Sequence, residues 1–125
     1  MSLEEMIRAK VQQNTMLAIV GGNHSSMIMD AVKGSGKKSM RLYDFTRINL
    51  CGDLPEFESG GNDLLIIHRI DQAPPSFLMA FFDAVRDKAL LGISVVISAV
   101  RNLGIPSSIQ DEFMVIRAAQ GGRKR

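Results

Sequence analysis

Two runs of the chain, "LLIIH" (Leu64–His68) and "ISVVISA" (Ile93–Ala99), are aliphatic at nearly every position. A strand with one wet face alternates apolar and polar residues with a period of two. These runs do not alternate, so each face has to meet a hydrophobic layer, which is the signature of a parallel sheet covered on both sides. "MLAIV" (Met16–Val20) is a third such run, closed by Gly21-Gly22. Helical periods lie between them. Leu3, Met6, Ile7 and Val11 share one helical face, and Glu4 stands one turn before Arg8; this helix is expected to end near Asn14. Asn23, Ser25 and Ser26 offer caps for a helix through Lys33. Pro74 and Pro75 suit the first turn of another helix. Its expected core stripe is Leu78, Phe81, Phe82, Val85 and Ala89, with Asp83, Arg86 and Asp87 on the wet side. "MRLYDF" and "MVIRA" read as further strands, "IPSSIQDEF" as a short helix, and "CGDLPEFESGGN" as a loop with a helical turn. The expected fold is a three-layer α/β sandwich: an open, mainly parallel sheet of about five strands with helices on both faces. The 125 residues read as one domain, with an amphipathic helix over 1–14 and a frayed basic tail over 119–125.

Composition narrows the function classes. No apolar run approaches the roughly 18 residues of a membrane span, and the acidic N-terminus is unlike a secretory signal. Cys51 is the single cysteine, which rules out an intramolecular disulfide and a multi-cysteine zinc site. A cytoplasmic setting without membrane contact is expected. The net charge is only +2, there is no tryptophan and one tyrosine, so base-stacking platforms are not suggested. The 8 methionines read as flexible core filler.

Ligands of such sheets bind beyond the carboxyl ends of the strands. After the first strand comes "VGGNHSSM", where a phosphate cradle would follow G-x-x-x-x-G-K-[ST]. Counted from Gly21, the second glycine is Ser26 and the lysine Met27; counted from Gly22, they are Met27 and Ile28. Gly21, Gly22, Asn23, His24, Ser25 and Ser26 are left as a weak anion site at a helix N-terminus, beside the plainer reading of a glycine turn feeding a capped helix. "GSGKKS" lacks the earlier glycine, which is Ala31, and follows a helix; it reads as a solvated basic turn. Lys33, Lys37, Lys38, Arg123, Lys124 and Arg125 could touch phosphates with salt-sensitive affinity, although solvated basic ends are the plainer reading. His24, Ser25, Ser26, His68, Asp71 and Ser98 are expected near one sheet edge. A Ser–His–Asp hydrolase would need a G-x-S-x-G elbow, which the chain lacks. His24, His68 and Asp71 could form a two-histidine, one-carboxylate metal set, set against the plainer reading of His68 as a satisfied strand-end histidine.

"LLIIHRIDQAPPSFLMAFFDAVRDK" resembles the second nucleotide motif and following helix of AAA+ ATPases, which run aliphatic-Asp-Glu-Ile-Asp. "ISVVISAVRNLGIPSSIQDEFMVI" is similar to the next part of that core, where a strand ends in a polar sensor and an Arg precedes an aromatic or Cys. Clamp-loader and helicase-loader subunits are nearest in texture, and the resemblance runs from Met16 to about Arg117. The chain departs from the pattern at its working parts. The acidic pair is His68-Arg69, Asp71 alone keeps the last acidic place, and the Arg before Phe113 is Glu112. Ser98 or Asn102 falls at the sensor place. The resemblance implies a scaffold that keeps the AAA+ core without its ATPase chemistry, without cofactor or metal, and without the helical lid. Positive side chains would stand where magnesium is held. Its implied partner is a protein or a second copy, in a nucleic-acid-processing complex such as a replication assembly, with weak nucleic-acid contact. The alternative is a degenerate receiver-like (flavodoxin-like) domain. There His68 would replace the phosphorylated aspartate, Gly21-Gly22 the metal-binding acids, and Ser98 would end the fourth strand.

Overall fold

The computed structural model describes residues 2–21, 24–36, 40–45, 64–87, 90, 93–100, 105–106 and 109–117. Its strands are β1 (Met16–Val20), β2 (Met40–Asp44), β3 (Leu64–His68), β4 (Ser94–Ala99) and β5 (Met114–Arg117). Its helices are α1 (Leu3–Gln12), α2 (Ser25–Lys33) and α3 (Pro75–Arg86). All strands join one five-stranded sheet in the order β2-β3-β4-β1-β5, and every pairing is parallel.

The aliphatic runs make the sheet's centre. Every residue of β3 and β4 is buried, as are Leu17 to Val20 of β1. Alternation along the strands sorts their side chains into two cores. Leu17, Ile19, Leu64, Ile66 and Val96 pack with Ile7 and Val11 of α1 and with Ile28, Ala31 and Val32 of α2. Ala18, Leu65, Ile67, Val95 and Ile97 point the other way and meet Phe77, Phe81 and Val85 of α3. The sandwich therefore has the three layers expected from the sequence. Chain direction explains the split: β1 to β2 crosses the sheet one way and β3 to β4 comes back, so crossovers of one hand place α2 and α3 on opposite faces.

A receiver-like domain has strand order 2-1-3-4-5, with the first strand between the second and third. Here β1 lies between β4 and β5, so the order does not favour that alternative.

Local differences have local causes. The core stripe of α3 includes Phe77, which the sequence reading passed over, whereas Leu78 and Phe82 are only partly buried. Pro75 is the first helical residue, and that phase aims Phe77 at the edge strand, where its ring meets Tyr43 and Phe45 edge-on at 5.1 and 4.8 Å. Within "IPSSIQDEF" the described residues form one 3₁₀ turn, Gln110–Glu112, and 107–108 lie outside the described residues. The cap of α2 is His24, with no side-chain cap bond, and Ser25 is already helical; Ser25 and Ser26 are thus not its caps. Conversely, α1 begins with a capping box that the sequence reading did not use: Ser2 Oγ accepts from the Glu5 N–H and Glu5 Oε1 from the Ser2 N–H. The expected Glu4–Arg8 pair forms at 2.9 Å. The loop "CGDLPEFESGGN", Ala89 and the tail 119–125 lie outside the described residues.

Because Ile66 is fully buried between α2 and the sheet, Ile66→Ala should lower unfolding free energy by about 2–5 kcal/mol. Met79→Ala, on the open side of α3 at 66% exposure, should change it by less than about 0.5 kcal/mol. Urea unfolding followed by circular dichroism compares the two; equal losses would contradict the layer assignment.

Candidate functional site

The carboxyl ends of β1, β2, β3 and β4 are stitched together by single hydrogen bonds. The Gly21 N–H donates to the Ala99 carbonyl at 2.8 Å, and the Phe45 N–H to the His68 carbonyl at 2.9 Å. The Arg69 N–H donates to Ser98 Oγ at 3.1 Å. The sensor-like serine therefore serves as a clasp between β3 and β4. Ser98 is buried.

His68 ends β3 on the same side as Leu64 and Ile66, facing α2. It is 1% exposed, and neither ring nitrogen has a hydrogen-bond partner among the described residues. Burial lowers its pKa below the usual histidine value, and the nearby Asp44 carboxylate opposes this only in part. The ring is therefore neutral at pH 7. Asp44 is its direct neighbour across the β2–β3 ladder.

Arg69 takes a left-handed backbone conformation, with φ 57°. This sharp turn folds its guanidinium onto Asp71: Nε lies 3.0 Å from Oδ1 and Nη2 3.1 Å from Oδ2, a two-pronged pair. Asp71 is 9% exposed at its side chain. Burial pushes its carboxyl pKa up, but hydrogen bonds from Arg69 and its charge outweigh this and leave the pKa below the usual carboxylate range.

These contacts correct the electrostatic picture drawn from sequence. His68 carries no charge and Arg69 is neutralised by Asp71, so the strand end is not a cationic patch. At the two motif positions, 68 and 69, no carboxylate stands, and Asp71 is engaged by Arg69. Nor do His24, His68 and Asp71 assemble as a metal set: among the described residues no group of three or more His, Cys, Asp or Glu could hold a metal ion.

Beside this strand end lies an open cleft of about 290 Å³, between α2 and the ends of β2 and β3. Ser25, Ser26, Met29, Asp30 and Lys33 of α2 form one wall, and Leu42, Asp44 and His68 form the floor. The structure thus brings Ser25, Ser26, Lys33 and His68 together. It places Arg69, Asp71 and Ser98 in a separate cluster behind them, and His24 does not line the cleft. Gly21 ends β1 in a positive-φ turn. Gly22, Asn23, Asn102, Lys37, Lys38, Arg123, Lys124 and Arg125 lie outside the described residues. Asp30 and Asp44 were missed from sequence. For Asp44 a signal existed: in "MRLYD" Met40, Leu42 and Asp44 share one face, and aligning the ends of two parallel strands sets Asp44 beside His68.

No protein-family model and no curated protein matches the chain. Solved structures do. A chain in the structure of Drosophila ORC bound to AT-rich DNA and Cdc6 aligns with TM-score 0.60 at 11% identity, over 91% of this chain and 54% of that one. A structure of two coordinating Pif1 helicases unwinding forked double-stranded DNA aligns with TM-score 0.60 at 14% identity, over 95% of this chain and 43% of that one. A DNA polymerase III gamma subunit-related protein from Thermotoga maritima aligns with TM-score 0.55 at 12% identity, over 98% and 47%. The chain spans about half the length of these proteins. At these identities the likeness is one of fold. The resemblance seen in "LLIIHRID" and "ISVVISA" thus holds at the level of the fold.

Two measurements probe the strand end. A double-mutant cycle of Arg69→Met and Asp71→Asn should return a coupling of about 1–2 kcal/mol, between the values for exposed pairs and for charged hydrogen bonds; no coupling would mean the pair is not formed. The His68 pKa is depressed on folding, so below the unfolded value of about 6.5 the unfolded chain takes up the proton first. Stability should therefore fall as pH drops below that value, and His68→Leu should flatten the slope between pH 7 and 5. Asp71 is also depressed, but its contribution is lost only at lower pH, below the unfolded aspartate value of about 3.9. A wild-type slope that survives in His68→Leu would assign the effect elsewhere.

Proposed function

We propose that the chain is an AAA+-like core that neither binds nor hydrolyses nucleotide and acts by binding other proteins in a nucleic-acid-processing complex. The observation that carries this reading is the end of β3. Nucleotide hydrolysis by a P-loop core needs one carboxylate for the metal and a residue to orient the attacking water. His68 offers a buried neutral ring in the first place, and Arg69 occupies the second with its side chain folded onto Asp71. Asp71, the one acid of the motif, is engaged by Arg69 and largely shielded from solvent.

The phosphate side points the same way. Met27 falls where a lysine would reach the outer phosphates; the charge-assisted contact it forgoes is worth roughly 1.5–3 kcal/mol, about a tenfold to hundredfold in affinity. The serine in the sensor position is already bonded to the Arg69 backbone. Three separate parts of one reaction are thus missing or occupied, while the sheet and both helical layers remain.

Support for the setting comes from the structural neighbours, which include a DNA-bound origin complex and DNA helicases. Half-exposed apolar residues on both edge strands, Met40 and Leu42 on β2 and Met114 and Val115 on β5, suit contact with other chains. Nucleic acid would then be reached mainly through those partners, with direct phosphate contact weak and salt-sensitive.

Calorimetric titration with ATP and magnesium at millimolar concentration should give no saturable heat, and steady-state assays no phosphate release above buffer. Micromolar affinity for ATP would overturn the reading. Sedimentation of the chain alone and with host extract should show association that high salt does not abolish.

A further inference from the structure

Among the described residues His68 is the one ionisable residue that is buried. Both ring nitrogens are closed to solvent and neither has a hydrogen-bond partner. A proton arriving there would create a charge with neither an acceptor nor water, which a protein interior tolerates poorly. The neighbours do not relieve it. Asp44, beside it on β2, already has an interaction of its own, and its attraction offsets burial only in part. Asp30 and Lys33 of α2 carry opposite charges and stand on the open cleft. His24, at the cap of α2, does not line that cleft. From β4, Ser98 accepts the Arg69 N–H, and the Arg69 side chain is closed on Asp71. The ring can therefore take a charge only in a conformation that brings it to water.

Solvent is nearest through the cleft, whose floor is His68 with Leu42 and Asp44 of β2. The elements around it are unequally held. Helix α2 is anchored by Ile28, Ala31 and Val32, all buried. No residue of β2 is buried, and among the described residues the strand is paired on one side only, to β3. Its Tyr43 and Phe45 rings lean on Phe77 from the α3 side, while Leu42 on the other face is 42% exposed. Segments with few buried apolar contacts open at lower free energy than the core. We propose that His68 is an acid-sensitive latch on β2: it takes up a proton when the carboxyl end of that strand lifts from β3, so mild acid populates an open sheet edge in a chain that is otherwise folded. The Phe45 N–H bond to the His68 carbonyl, at 2.9 Å, is the last rung of the closed ladder and the first to part. The sign follows from linkage. Burial holds the closed ring below the ordinary histidine value of about 6.5, and the opened ring returns to it, so acid favours opening below that pH. Opening depends on the packing around His68 and is independent of nucleotide binding.

Native-state hydrogen exchange of the full chain, with and without low urea, separates a latch from general weakening by acid. After correction for intrinsic rates, the opening constants of the β2–β3 ladder amides, Phe45 among them, should rise about tenfold between pH 7 and 5.5. They should depend little on urea, because a local opening exposes little surface, whereas the Leu17–Val20 amides of β1 should show the steep dependence of global unfolding. His68→Leu cannot charge and should leave the β2 opening flat over this range. His68→Gln, polar and neutral at every pH, should do the same, and serves if leucine disturbs the packing. His24→Gln should leave the rise intact. A rise that survives in the His68 variants, no rise in the wild type, or ladder amides that exchange only together with β1 would overturn the latch.

Discussion

Burial of β1, β3 and β4 from both sides is the constraint from which the rest of this molecule follows. A strand enclosed by helices on each face has no room for a charged side chain along its length. Polar chemistry is therefore confined to the strand ends. His68 stands at that boundary, the last residue of β3 and still fully enclosed. The packing that makes the sheet also keeps the proton off the imidazole, since burial disfavours its charged form more than Asp44 restores it. The sheet thus sets the charge state of the residue at the focus of the candidate site.

One residue later the backbone departs from the ordinary. A non-glycine residue with positive φ costs of order 1–3 kcal/mol, and Arg69 adopts one. Two interactions offset that strain: the N–H bond to Ser98, worth about 0.5–1.5 kcal/mol, and the two-pronged pair with Asp71, worth about as much or more. These are in roughly the same range, so the turn is stable only with its partners in place. A side chain at 69 that had to reach outward for a water or a substrate would leave Asp71 largely shielded and uncompensated. The local fold and a hydrolytic role make opposite demands on this position.

The layered sheet was legible because its evidence is redundant. Four consecutive aliphatic residues in Leu64–Ile67 and the long run in β4 admit few other environments, and the proline pair marks the start of α3 without ambiguity. Edge strands were harder to read because one wet side lets Arg41 and Tyr43 mix with Met40 and Leu42. Strand order, which separates this fold from a receiver-like one, depends on which crossover passes over which strand, and no local pattern encodes that. At the site, identities were readable and electrical states were not. His68 and Arg69 look like two cations in the sequence. In three dimensions burial discharges one and Asp71 neutralises the other. Asp30 entered the site only because α2 lies across the β2–β3 end, a long-range fact, whereas Asp44 could have been found by aligning strand ends.

Asp44 also bears on why a histidine suits position 68. The two residues face each other across a parallel ladder, on the same side of the sheet. A carboxylate at 68 would stand directly beside that of Asp44, and like charges in such cross-strand pairs destabilise the sheet. One of the two would have to take up a proton, its pKa raised by burial and by its neighbour together. A neutral imidazole removes the conflict. Placing an acid at 68 would therefore not by itself recreate a metal ligand. It would set two carboxylates in competition for one proton, with Asp71 still held by Arg69. The departures from the AAA+ pattern are in this sense coupled: His68 accommodates Asp44, Arg69 occupies Asp71, Ser98 holds Arg69, and none of these can be reversed alone without exposing a cost at the next.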